Sequence, residues 1–378
     1  MNIIIFGAGR IGQTVCIDLS AQSGLDLTIV DKSEKAVASL PGNLNVNSMV
    51  ADVSEKESIF ELLQGQDLVV NALPGRLGFR LMSCAIEAGL NLVDVSFFPE
   101  DPLQLDDLAK DKSLQVMVDC GVAPGLSNLL VGHAYHTLTA VEKVKIYVGG
   151  LPKERRLPWE FASFFSPEDI VEEYIRPARI KQDQKIIVKP ALSELEYLDF
   201  PQIGTLEAFL TDGLRTLLYT LDIPNLEEKT LRYPGHQKKI KFLQDIGFFE
   251  QTEVECGAEK IIPISLTTQL LIKVWSAEAC PVDYTVMKIE VVGNRDGQKL
   301  KMTYDLVDEY DPVLKLSSMS RTTGYTTAAC VNLLKEGILP STGVIPLEIV
   351  GQMDDCYSSI IKYLEERNIL VREHVEEV

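Results

Sequence analysis

The sequence predicts an α/β fold: a doubly wound parallel sheet, followed by a second α+β domain built on a mixed or antiparallel sheet. Three observations predict it. A continuous apolar run, Ile3 to Phe6, breaks into Gly7-x-Gly9-x-x-Gly12 and at once takes up helical spacing through Ile11, Val15 and Leu19. Short apolar runs then alternate with helical stretches as far as Val118. From about Glu142 the pattern changes to strands of alternating polarity, ending in a long hairpin of 284–292 and 300–307 joined across Asn294-Arg295-Asp296-Gly297.

The first stretch carries a dinucleotide (Rossmann) fingerprint, Gly7-Ala8-Gly9-Arg10-Ile11-Gly12. Gly7 permits a tight turn, Gly9 lets backbone approach a pyrophosphate, and Gly12 lets helix and strand pack closely. The free N–H groups and positive end of the helix then face the phosphates. A second apolar strand, 25–30, ends in Asp31, about twenty residues beyond the glycines, where a carboxylate can accept hydrogen bonds from a ribose. Asp31 would repel a 2′-phosphate, which favours NAD over NADP; neighbouring Lys32 softens that preference.

Val46–Val50 reads as a strand that ends in Ala51-Asp52-Val53, and Ser54-x-x-Glu57 as a capping box opening a helix to Leu63. Asp52 and Val53 sit where an adenine ring lies in such folds. Asp67–Ala72 is the next strand, and Asn71-Ala72-Leu73-Pro74-Gly75 lets backbone pass close to the nicotinamide ribose. A helix over 77–88 stops at Gly89. Strands 91–95 and 114–118 flank an acidic helix over 101–112 and end in Asp94 and Asp119, where the chemistry of parallel sheets gathers.

Asp119-Cys120-Gly121-Val122-Ala123-Pro124-Gly125-Leu126-Ser127-Asn128 has no regular period and leads into a helix as far as Leu138. Asn128 is placed at that helix's N-terminus, facing the cleft. Cys120 is read as a small residue beside the cofactor, not as a nucleophile. Beyond it, 144–148, 185–189, 195–198 and 228–231 read as strands. Helices start at Ser166, Asp212 and Lys238, the first carrying Glu172, Tyr174, Arg176 and Arg179. Ser320–Lys335 and Gln352–Arg367 are helical again, and Thr322–Thr327 reads as a capped helix start. Residues 1–125 with about 320–378 are assigned to the dinucleotide domain and 126–319 to the substrate domain.

Composition bounds the function. The chain has 378 residues, enough for two cores, with 46% hydrophobic and 24% charged residues. A formal charge of -19 argues against nucleic acid or an anionic membrane as partner. Seven scattered cysteines without a Cys-x-x-Cys pair fit a reducing compartment and supply no metal framework. No apolar run reaches the ~18 residues of a membrane span and no signal peptide is read, so a cytoplasmic protein is expected.

Candidate chemistry beyond the cofactor is sparse. Arg232, in Leu231-Arg232-Tyr233-Pro234-Gly235-His236, is the best placed fork for a substrate carboxylate. His236 can titrate near neutral pH. His133 and His136 are three apart but lack the zincin pattern and a third ligand, so no metal is assigned. Arg176 and Arg179 are three apart and read as a solvated helix face.

Taken together, Gly7–Gly12, Asn71-Ala-Leu-Pro74, Asp119–Asn128, Ser166-Pro167-Glu168, Leu231–His236, Ser320-Arg-Thr-Thr-Gly-Tyr325 and Gly343-Val-Ile-Pro346 resemble the saccharopine dehydrogenase superfamily over essentially the full chain. Within it, the Asp119–Asn128 and Leu231–His236 stretches look most like NAD-dependent L-lysine 6-dehydrogenase. That resemblance implies oxidation of an amino acid at CH–NH2, with lysine going to allysine as ammonia and NADH are released. Saccharopine-type and carboxynorspermidine synthase-type enzymes, acting on secondary amines, are the alternative. It also implies a cleft between the domains, a homodimer or higher homo-oligomer through the second domain's sheet, and Arg232 near the substrate carboxylate. Phe164-Phe165 stand where many relatives are expected to carry Trp.

The mechanism expected is hydride loss from a neutral amine to give an iminium, which water then attacks. An alkyl ammonium of pKa about 10.4 must first lose a proton. Asp119 or His236 is the expected base, Arg232 with Asn128 and Asp94 the substrate contacts. A protein that binds NAD without turnover is the remaining alternative.

Overall fold

A computed structural model of the chain describes residues 1–164, 166–276 and 281–378. Phe165 and the side chains of Pro167 and Glu168, which enter the resemblance above, lie outside the described residues.

Strands β1 (Asn2–Phe6), β2 (Asp26–Asp31), β3 (Asn47–Val50), β4 (Leu68–Asn71), β5 (Asn91–Asp94) and β6 (Gln115–Val118) alternate with helices α1 (Arg10–Ser20), α2 (Glu34–Ala38), α3 (Lys56–Leu63), α4 (Gly75–Glu87) and α5 (Asp106–Asp111). All strand pairs in this sheet are parallel, and successive residues feed opposite cores. Ile3 and Ile5 join Val15 and Leu19 of α1 on one face, while Ile4 and Phe6 join Ile59, Leu81 and Met82 of α3 and α4 on the other. That two-sided burial is why Ile3–Phe6 of β1 and Leu68–Val70 of β4 are all apolar. The order is β3-β2-β1-β4-β5-β6, so the winding reverses between β1 and β4, and a crevice opens at their carboxyl ends. The capping box expected at Ser54 is absent: α3 begins at Lys56, and the Ser54 hydroxyl turns to Asp52.

Helix α6 (Leu126–Thr137) leads out of the first sheet into β7 (Ala140–Pro152). Helix α7 (Pro167–Ile175) follows, then β8 (Ala178–Gln182), β9 (Lys185–Lys189), β10 (Glu196–Phe200), β11 (Gly204–Leu210), α8 (Leu217–Thr220) and β12 (Leu226–Arg232). Next come α9 (His236–Asp245), the short hairpin β13 (Val254–Cys256) and β14 (Glu259–Ile261), and α10 (Pro263–Val274). The long hairpin β15 (Asp283–Arg295) and β16 (Gln298–Glu309) turns at Asp296-Gly297, both at positive φ, as the sequence leads one to expect. The second sheet is mixed: β12 runs parallel to β7, and the other pairs are antiparallel.

The end of the chain serves both sheets. Helix α11 (Ser318–Lys335) lies against α1, where Gly324 meets Thr14 closely enough that a Cβ would collide. Strand β17 (Gly343–Pro346) extends the first sheet beside β6, followed by α12 (Leu347–Val350) and α13 (Asp354–Glu365). Strand β18 (Val371–Glu377), by contrast, pairs with β16 on the second sheet, so the last residues do not stay with the first. Thr322–Thr327 is not a helix start: α11 begins at Ser318, capped by the Ser317 hydroxyl. The buried threonines instead donate to carbonyls, Thr322 to Ser318 and Thr326 to Thr322, one turn back. Among the described residues no helix is long and apolar enough to cross a membrane.

Candidate active site

A cleft of about 560 Å³ runs from the glycine loop, past the carboxyl ends of β1, β4 and β6, onto the face of β7 and β12. Its first half fits a dinucleotide. Gly7 has φ +101°, and a Cβ there would strike the Ala72 carbonyl; one on Gly12 would strike the Gly7 carbonyl. Gly9 opens into space and caps α1 with no side chain, leaving the first-turn N–H groups for an anion. Asp31 is held in place: Oδ2 accepts from Ala8 N and Oδ1 from Ser33 N, both at 2.8 Å. Gly7, Gly9, Arg10, Ile11, Asp31 and Ala72-Leu73-Pro74 all line the cleft. Arg10 also reaches across it, donating to the Ser163 carbonyl at 2.9 Å.

Several expected contacts are not in the cleft. Lys32, Asp52 and Val53 do not line it: Lys32 and Asp52 are exposed, and Val53 is buried in the core beside α3. Asn71 turns inward, donating to Gly78 O, Asp94 Oδ1 and Ser96 Oγ at 3.0, 2.6 and 3.2 Å. Asp94 is thereby locked beneath the strand ends, where burial pushes its carboxyl well up, and it cannot reach a substrate. Cys120 is wholly buried, its carbonyl accepting from the Thr327 hydroxyl. Asn128 faces α12 instead of the cleft and donates to Glu348 Oε2 at 3.0 Å. The Thr220 hydroxyl completes that buried network on Glu348 Oε1 at 2.6 Å.

The two expected bases lie in different surroundings. Asp119, at φ +54°, lines the cleft, but Arg215 Nε holds its two oxygens at 3.2 and 3.3 Å. His236 lies behind the wall, packed among Trp159, Phe161, Tyr174 and Trp275. Burial, with Arg232 nearby, holds its imidazole neutral, well below its ordinary range. Its Nε2 is 3.0 Å from the Tyr174 hydroxyl, which accepts from Arg232 Nε at 3.0 Å. His236 therefore supports Arg232 through Tyr174.

Arg232 does line the cleft, stacked 4.7 Å over Phe161, with Nη2 3.5 Å from Glu173. A second cation joins it. Arg176 falls just past the end of α7, lines the cleft 5.2 Å over Phe97, and has no ion pair within 4 Å among the described residues. Arg179, placed on the same helix by the sequence, is in β8 and forms a two-pronged pair with Asp212 at 2.9 Å on each prong. Glu228, Thr211 and Thr230 also line this wall and are linked to one another and to Glu173. The site thus joins a dinucleotide groove to a polar pocket lined by cationic and carboxyl groups. Among the described residues no cluster of His, Cys, Asp and Glu is arranged to hold a metal.

Comparison with known proteins agrees with this layout. The family model "Saccharopine dehydrogenase NADP binding domain" matches residues 3–117, and "Saccharopine dehydrogenase C-terminal domain" matches 121–370. The NADP-dependent, L-glutamate-forming saccharopine dehydrogenase of Pyricularia oryzae is 24% identical over 317 residues, covering 79% of this chain and 69% of its own. Carboxyaminopropylagmatine dehydrogenase of Synechocystis is 23% identical over 376 residues, covering 92% of each chain. The chain spans 28% of the mitochondrial alpha-aminoadipic semialdehyde synthase of Bos taurus, at 22% identity over 269 residues, 66% of this chain. Apo saccharopine dehydrogenase (L-Glu forming) from Saccharomyces cerevisiae has the same fold, with TM-score 0.78 over 99% of both chains at 17% identity.

Proposed function

The chain belongs to the saccharopine dehydrogenase family, and from that premise we propose that it is a nicotinamide-dependent oxidoreductase acting on the secondary amine of an amino acid. The observation that carries this reading is the pairing, in one pocket beyond the dinucleotide groove, of an ion-pair-free Arg176 with the carboxyl groups of Glu173 and Glu228. Arg176, steadied on the Phe97 ring, binds the substrate carboxylate, and Arg232 lines the same cleft against Glu173. Glu173 and Glu228 bracket the amine.

The glycine loop, the α1 N-terminus and Asp31 hold the cofactor, and Asp31 favours NAD over NADP. When bound, the nicotinamide supplies a hydride acceptor. The protein's share is to orient the amine carbon, to exclude water with buried neighbours such as Val122 and Met319, and to move protons. The secondary-amine reading takes precedence over lysine because curated relatives that align with the chain act, by their names, on saccharopine and carboxyaminopropylagmatine. Deamination of L-lysine, towards which the Asp119–Asn128 and Leu231–His236 motifs point, uses the same pocket with ammonia as the leaving group.

Absorbance at 340 nm with NAD and a panel of saccharopine, carboxyaminopropylagmatine and L-lysine, at pH 7 to 10, tests the reading. Reduced cofactor with a secondary amine and no ammonia is the expected result. Turnover of lysine alone, with ammonia in step, replaces it with lysine deamination. No turnover of any amine by a protein that binds NAD overturns the reaction class.

A further inference from the structure

The wall opposite the cofactor groove contains a carboxylate, Glu228, that makes no ion pair within 4 Å among the described residues. Glu228, in the middle of β12, is only 4% exposed yet lines the cleft. Its Oε2 accepts from the Thr211 hydroxyl at 2.7 Å and from Gly213 N at 3.2 Å. Its Oε1 makes no hydrogen bond among the described residues. Three other carboxylates lining the cleft each have a cation: Asp119 has Arg215, Asp212 has Arg179, and Glu173 has Arg232. The chain also makes room for it. A Cβ at position 213 would come within 3 Å of the Glu228 carboxyl, so glycine there lets a backbone N–H reach the oxygen.

A buried carboxylate without a counter-ion is costly, and an acceptor oxygen left open to a cleft has a use only if something in the cleft gives it a hydrogen. Resting on the amine-oxidoreductase reading above, we propose that Glu228 is the proton acceptor for the substrate's amine. The bound ammonium gives one N–H proton to Oε1: an N–H bond breaks, an O–H bond forms, and the nitrogen recovers its lone pair. That lone pair becomes the second bond of the iminium as the neighbouring C–H electron pair leaves with hydrogen to oxidised nicotinamide, the oxidant this reaction class requires. Water then adds to the iminium carbon, giving one of its protons to the nitrogen and the other to solvent; the C–N bond breaks as the C=O bond forms, and the departing amine regains the proton from Glu228.

The surroundings favour this exchange. Burial pushes the Glu228 carboxyl up to about 8, with Thr211 opposing and Glu173 adding like charge. Glu173 faces it from α7, Asp212 (itself held by Arg179 of β8) from beyond β11, and Arg232 lies further along its own strand, while β7 sets apolar Ile146 beside it. The neutral carboxyl is therefore the resting form at pH 7, and it becomes a carboxylate when an ammonium arrives. The Thr211–Thr230–Glu173–Arg232 chain of contacts ties this group to a cation lining the same cleft.

The test is proton release on binding, measured by calorimetry in buffers of different ionisation enthalpy, with whichever of saccharopine, carboxyaminopropylagmatine or L-lysine the absorbance assay shows to be oxidised. Wild type should release a substantial fraction of a proton per amine bound at pH 7, and E228Q close to none. E228Q should lose about 100-fold or more in kcat, with NAD affinity unchanged. The acid limb of kcat/KM near pH 8 should vanish in E228Q and survive in E228D. Equal release and rate in wild type and E228Q overturn the assignment of Glu228 and leave the reaction class standing. Failure of wild type with every amine overturns the reaction class, and Glu228's role with it.

Discussion

In the proposed reading, one carboxylate sets the choice between NAD and NADP. Asp31 is fixed by the Ala8 and Ser33 amides so that its charge faces the space beside the glycine loop, where a ribose 2′-position falls. A phosphate there would bring nearly two negative charges against it. Asp31→Ser should therefore shift kcat/KM towards NADP by at least about tenfold, about 1.4 kcal/mol of discrimination. An unmoved NADP/NAD ratio would mean that Asp31 does not face the ribose. Asp31 was legible because its position follows from a spacing, glycines then strand end, that the backbone alone fixes. Asn71, Asp94, Cys120 and Asn128 were placed at the right strand and helix ends and still misread. Sequence gives the end of an element but not which way its side chain turns, and each of these turns into a buried polar network or the core. Arg176 was missed for the opposite reason. Helical periodicity was carried past Ile175, whereas the helix ends there and frees Arg176 to enter the cleft.

Elements that one buried face or one turn type determines were legible; elements that tertiary contacts determine were not. The hairpin of β15 and β16 follows from alternation around Asp296-Gly297. Strand β11, reading Gly-Thr-Leu-Glu-Ala-Phe-Leu, has good helix formers and is extended because it pairs with β10 and β12. Around α1, close approach is the controlling quantity. Gly12 lets the helix start against the Gly7 carbonyl, and Gly324 of α11 lets the second helix settle on Thr14. Gly12→Ala should weaken NAD binding by about tenfold or more and lower the melting temperature, because a methyl can fit only if the α1 tip moves off the phosphate site. Gly42→Ala, with nothing within 4 Å of the added carbon, is the control and should leave both unchanged. Titration of NAD by intrinsic fluorescence checks both variants. Equal affinity in Gly12→Ala and wild type would show that the tip does not set the site.

At the scale of the molecule, polar contacts between the two sheets' layers place the pocket beside the groove. Arg10 reaches Ser163, Glu348 joins Asn128 to Thr220, and Arg215 joins Asp119 and the Phe98 carbonyl. None of these pairings was visible in sequence, since each joins residues far apart in the chain. Arg215 is the most exposed to a test because both it and Asp119 are almost wholly buried. Burial raises the Asp119 carboxyl, and Arg215 is what opposes that rise. Arg215→Ala leaves the carboxylate uncompensated and should cost about 3–5 kcal/mol. The sign with pH follows from the same balance. Without Arg215 the folded-state pKa of Asp119 rises further above its unfolded value, so the folded state holds a proton that the unfolded state has lost. Stability of the variant should then fall as pH rises out of the ordinary carboxyl range, and the deficit against wild type should be larger at pH 8 than at pH 5. Asp119→Asn added to Arg215→Ala removes the charge and should recover part of the loss at pH 8 and less at pH 5. Melting temperatures of the three proteins across that range decide it: a deficit that is the same at both pH values and untouched by Asp119→Asn would mean that Arg215 acts through its packing on Phe97 and Phe98, not through its charge.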